Sequence, residues 1–240
     1  MPDNEYPIIG QMEQLVRQWT EKADDRAVFL SCYMRMTTNV LSENKPETFH
    51  NPIWVNTLLH HFAGYYFVAL DAYENKIATT PVIWLIAHNT ALETKTSLLQ
   101  KLLLGVNAHI NYDLSLTLYD LFREKWQQLP QNERDLYYED YTKVNDIISI
   151  TIDAVQDEII APAMPNMQLL DKILGRADEW LISKLIVAWR EEVWNNAVSL
   201  LNAKNPEERN QIITQIEADA IRRNDAILSE NWAITLFNIW

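Results

Sequence analysis

Apolar residues recur along this chain at three- and four-residue intervals, the spacing of amphipathic helices, and no stretch alternates in the manner of a half-buried strand. Ile8, Met12, Leu15, Val16 and Trp19 mark a first helix over Ile8 to Ala23. Asp24 and Asp25 supply cap chemistry for a second, Arg26 to Leu41, with Phe29, Tyr33, Met36 and Val40 as its core line. Pro46 and Pro52 break the chain, and Pro52 suits the first turn of a third helix reaching to about Asn75. Pro81 to Glu93 reads as a shorter helix holding Trp84 and His88. Beyond the turn Leu129-Pro130-Gln131-Asn132, a long helix runs Glu133 to Ile160, with Val144, Ile148, Ile152, Val155 and Ile159 inward and Asp146, Asp153 and Asp157 outward. A short helix, Met167 to Leu174, closes on Gly175. Ala177 to Ala203 is long again. Asn205-Pro206-Glu207-Glu208 starts the last helix, which reaches about Leu228.

One stretch organises the rest. Leu98 to Phe122 is apolar round most of its circumference, the pattern of a helix inside a bundle. Among its leucines stand Asn107, His109, Asn111, Asp113 and Asp120. Helical geometry puts His109, Asp113 and Asp120 on one flank of the apolar face, with Asn107 and Asn111 on the other. Burying such groups costs free energy unless they find partners, so they either pair with neighbouring helices or line a cavity. The expectation is one all-α domain over residues 1–240, a bundle of about seven to nine helices around 98–122.

Composition narrows the function classes. Four glycines in 240 residues argue against a glycine-rich nucleotide loop or a doubly wound sheet. The net charge of −13 repels phosphate backbones, so neither nucleic acid nor an anionic membrane is expected as a partner. No apolar run reaches the ~20 residues that span a bilayer, and no secretory signal opens the chain. Cys32 is the sole cysteine and reads as a small core residue of a cytoplasmic protein. The apolar tail NWAITLFNIW, Asn231 to Trp240, is expected to dock on the bundle or to make a homodimer.

Several segments together resemble the uncharacterised, largely bacterial domain of unknown function 5995 family. They are FLSCYMRMT from Phe29, FHNPIWVNTLLHHFAGYYFVALDAY from Phe49, LLLGVNAHINYDL from Leu102, DYTKVNDII from Asp140 and AWREEVW from Ala188. The third is the most specific, and the resemblance covers roughly 30–200. It implies a helical bundle built around the AHINYDL helix and implies no activity.

His109 and Asp113, at i and i+4, can meet on one helix face. Three readings compete for them. The plain one is an imidazole–carboxyl hydrogen bond inside the core. The second is a divalent metal site completed by His61, His88 or Asp71, which would give hydrolase-like chemistry. The third is metal-free acid–base catalysis or contact with a small-molecule ligand. HExxH and the repeated ExxH of di-iron bundles are missing, and no GxSxG elbow occurs. In the site readings His109 and Asp113 are catalytic. Asn111, Asn145, Arg190, Tyr33 and Thr37 then line a polar pocket for the ligand. In the plain reading the asparagines fix helix register, and Arg190 pairs with a carboxylate or stacks on Trp189 or Trp194.

Overall fold

The computed structural model of the chain describes residues 7–163 and 177–230, and the side chains of the second stretch from residue 182. The described residues are all-α, without a strand among them. The helices are α1 (Pro7–Glu21), α2 (Arg26–Ser42), α3 (Pro52–Glu74), α4 (Val82–Ala91), α5 (Leu98–Asn107), α6 (Leu114–Phe122), α7 (Gln131–Val155), α8 (Ala177–Leu201) and α9 (Pro206–Leu228). Six residues of π-helix, Ala108–Asp113, join α5 to α6, so the expected Leu98 to Phe122 helix is continuous but locally widened. A second π-helical turn, Gln156–Ile160, follows α7. The expected Met167–Leu174 helix with its Gly175 cap, and the tail Asn231–Trp240, lie outside the described residues.

Local chemistry explains most helix starts. Of the two aspartates before α2, Asp24 supplies the cap: its Oδ1 accepts the Arg26 N–H at 3.0 Å. Ser97 opens α5 with a reciprocal capping box, its hydroxyl accepting from Gln100 N–H while the Gln100 side chain accepts from Ser97 N–H. Asn205 caps α9 through Glu208 N–H at 2.8 Å, with Pro206 at the first helical position, as the sequence predicts. The start of α4 is a tertiary matter. Glu217 of α9 reaches over and accepts the Val82 N–H at 2.8 Å.

The chain divides into two compact units. The first takes the residues up to His60 with Pro130–Ile186, and the second takes His61–Leu129 with the residues from Val187 on. In the first unit α1 packs on α2 and α2 on α7. Its core holds Met12, Trp19, Leu30, Val40, Tyr141, Val144 and Ile148. Cys32 is buried here, and burial pushes its thiol up to about 12, which makes it inert. Asp146, Asp153 and Asp157 face solvent, as the periodicity predicts.

In the second unit α5 and the π turn pack on α4 and α9, and α6 meets α9 through Leu116 and Ile216. Leu102, Leu103, Leu104, Leu114, Leu116 and Leu118 are all buried. Each such side chain contributes about 1.5–3 kcal/mol on burial, which is what anchors the polar residues interspersed with them. Leu116, Leu200 and Ile216 form a further apolar cluster flanked by Tyr65, Tyr112 and Tyr119. No helix of the described residues is long and apolar enough to cross a membrane.

Candidate functional site

Of the polar residues singled out on the central helix, His109, Asn111 and Asp113 sit on the π turn and Asn107 directly before it, while Asp120 lies further on in α6. In a π turn each N–H reaches back five residues instead of four, which widens the helix and re-aims its side chains. Two groups of polar side chains leave this turn. His109 is 3 % exposed and Asp113 1 % exposed, so both are shielded from bulk water.

His109 Nδ1 lies 3.3 Å from Asp113 Oδ2. The imidazole is stacked on Phe62 of α3, ring centres 3.6 Å apart and planes 9° from parallel. The Tyr66 ring meets its edge at 6.1 Å. Trp84 of α4, itself fully buried, donates its indole N–H to Asp113, 3.1 Å from each carboxyl oxygen. His88 stacks on the other part of this aromatic group, 5.0 Å from Trp84 and 4.8 Å from Tyr73.

Burial drives the two ionisable groups in opposite directions. It holds the His109 imidazolium well below the usual histidine value. It pushes the Asp113 carboxyl well above the usual aspartate range, against a smaller opposing effect of the Trp84 hydrogen bond. Both shifts favour uncharged forms. In that uncharged pairing the carboxyl group would donate from Oδ2 to Nδ1, leaving the ring proton on Nε2. The alternative, imidazolium beside carboxylate, carries the same number of protons but places two charges in a region walled by aromatic rings.

The second group is an amide chain. Asn111 donates to Asn107 Oδ1 at 2.7 Å. Asn107 in turn donates to the Ala220 carbonyl at 2.7 Å and to Asn224 Oδ1 at 2.9 Å, both on α9. These side chains thus join the π turn to the last helix, and all three are nearly water-free.

Arg190 is in the second unit on α8, 4 % exposed, next to the fully buried Trp189. Tyr33, Thr37 and Asn145 belong to the first unit, whereas His109, Asn111, Asp113 and Arg190 belong to the second. Thr37 spends its hydroxyl on the Tyr33 carbonyl at 2.9 Å, and the Tyr33 ring stacks on Phe29. Asn145 is half-buried on α7. Asp120 is apart from the imidazole pair: it accepts the Tyr65 hydroxyl at 2.6 Å and pairs with Arg123 at 3.3 Å. His61 and Asp71 are exposed. Among the described residues, no three His, Cys, Asp or Glu side chains gather so as to hold a metal ion. Sequence reasoning missed Phe62, Tyr66 and Trp84 as parts of the centre. One signal was present: a buried indole N–H demands an acceptor, and Asp113 was a candidate to supply it.

A family model described as a family of unknown function (DUF5995) matches residues 7–230. Comparison with curated proteins finds no match, nor does comparison with solved structures.

Proposed function

Because the chain belongs to the DUF5995 family, whose function is unknown, we propose from its geometry that it is a non-catalytic binding or interaction protein in which the His109–Asp113 pair locks helix packing. One observation carries this reading. His109 and Asp113 are almost wholly buried, Phe62 covers one face of the imidazole and Trp84 donates to both carboxyl oxygens, so a substrate would have to move surrounding side chains to reach the pair. The amide chain supports it, since Asn107 and Asn111 bond to each other and to α9. The acidic surface favours protein or small-molecule partners over nucleic acid. Self-association through Asn231–Trp240 belongs to the same proposal.

Carbethoxylation of histidines, read by peptide mass, tests it. His50 and His61 are exposed and should react in the folded protein, whereas His109 should react only on unfolding or after Phe62→Ala opens its face. Modification of His109 at the rate of His61 in the folded protein would overturn the reading.

A second reading has its own support. π turns and groups whose pKa values burial pushes apart both occur often at functional sites, and here an acid with a raised pKa and a base with a lowered one share one π turn, as acid–base catalysis of a metal-free hydrolase kind would need. Reagent access to His109 in the folded protein favours that reading over the first.

A further inference from the structure

The first unit holds a cleft that neither the buried pair nor the amide chain uses. It is lined by His50 and Asn51 of the turn before α3 and by Glu133, Leu136, Tyr137 and Asp140 of α7. Its volume is about 200 Å³ and it is half open to solvent. That lies below the ~300–1,000 Å³ of pockets that hold cofactors and drug-sized molecules, so the occupant is small.

The turn that forms one wall is rigid. Asp140 is 1 % exposed and accepts two backbone N–H groups, His50 at 2.7 Å through Oδ1 and Asn51 at 2.8 Å through Oδ2. Asn51 Oδ1 then caps α3 through Trp54 N–H at 3.0 Å. Two donors that would otherwise draw an anion to this turn are thereby consumed by the protein's own carboxyl group. His50 is engaged too, its Nε2 2.8 Å from Glu139 Oε2. The opposite wall offers the ring of Tyr137, braced edge-on by Trp54 at 5.1 Å, and the exposed side chain of Leu136. Glu133 stands at the rim in the first turn of α7, exposed and with no side-chain partner among the described residues. Arg134, its neighbour in sequence, does not line the cleft.

We propose that this cleft binds a small organic ammonium ion, its charge held by the Glu133 carboxylate and its methyl or methylene groups laid against Tyr137 and Leu136. The ligand class follows from the walls: the Glu133 carboxylate (unpaired among the described residues), an aromatic ring of a kind that attracts cations, and an apolar side chain, with the nearby backbone donors already spent. A bare metal ion fits less well, because no three ligating side chains converge here.

The test titrates choline and its neutral isostere 3,3-dimethylbutan-1-ol into the isotopically labelled full-length protein, following the Tyr137 and His50 resonances. Choline should shift both resonances saturably, and the neutral isostere should bind at least about tenfold more weakly. Glu133→Gln, at an exposed position, should keep the unfolding temperature and weaken choline by about tenfold. Tyr137→Leu should weaken choline more than it weakens ethylammonium, which makes less use of the ring. Equal binding of the charged and neutral probes, no saturable shift with choline, or unchanged affinity in Glu133→Gln would each overturn the proposal.

Discussion

Asp113 is the residue on which the interpretation of the centre turns, because a buried carboxyl contributes differently as an acid and as an anion. Its raised folded-state pKa means that, above the ordinary value of 3.8, the unfolded chain releases a proton that the folded chain keeps. Stability from this group therefore falls as pH rises above that value. His109 acts in the other sense. Its folded pKa is lowered, so its contribution is present above the ordinary value of 6.5 and is lost as pH falls below it. Asp113→Asn mimics the protonated acid: its amide can accept from Trp84 and donate to His109. We expect this variant to be as stable as the native protein near pH 4, and more stable by an increasing margin toward pH 8, measured as unfolding temperature. Were the pair an ion pair instead, the same change would cost about 3–5 kcal/mol at neutral pH. The i, i+4 contact itself was legible in the sequence, since helical spacing alone brings those two positions together. The aromatic walls were not, because Phe62, Tyr66 and Trp84 lie on helices with apolar residues on several sides, and periodicity does not say which faces meet.

At the scale of elements, the π turn Ala108–Asp113 and α9 are joined by amides. Asn107→Ala removes the donor to Ala220 and Asn224 and the acceptor for Asn111, leaving buried polar groups unpaired. We expect a loss of about 2–4 kcal/mol by denaturant unfolding. A cost under about 0.5 kcal/mol would show that the chain of amides contributes little to holding α9. Glu217→Gln, which weakens the charge-assisted bond to the start of α4, should cost about 0.5–1.5 kcal/mol. Helix positions were largely readable: Pro52, Pro206 and Asn205 set starts by local chemistry that survives folding. The widening at Ala108 was not, for none of the residues Ala108–Asp113 is a glycine or proline. The cap of α4 was hidden too, its carboxylate coming from a helix distant in sequence.

For the whole molecule, fold class followed from the pattern alone, whereas the division into two units did not. α3 and α8 each run from one unit into the other as unbroken helices, so no linker marks the boundary. Tyr33, Thr37 and Asn145 fall in the first unit and His109 in the second, which helical phase does not reveal, because it locates a residue on its own helix and not within the assembly of helices. Light scattering of the full chain and of a chain ending at Glu230 addresses self-association, and we expect a dimer mass that falls to the monomer on truncation. An unchanged mass would remove the tail from the account. Metal analysis of protein purified without added metal should find less than stoichiometric zinc, iron or manganese, with no effect of a chelator on the unfolding temperature. The most direct measurement is the protonation state of His109, read from its ring ¹⁵N shifts from about pH 5 to about pH 8. One neutral tautomer, protonated on Nε2, is expected throughout. An imidazole that takes up a proton within that range, or an imidazolium at neutral pH, would contradict it.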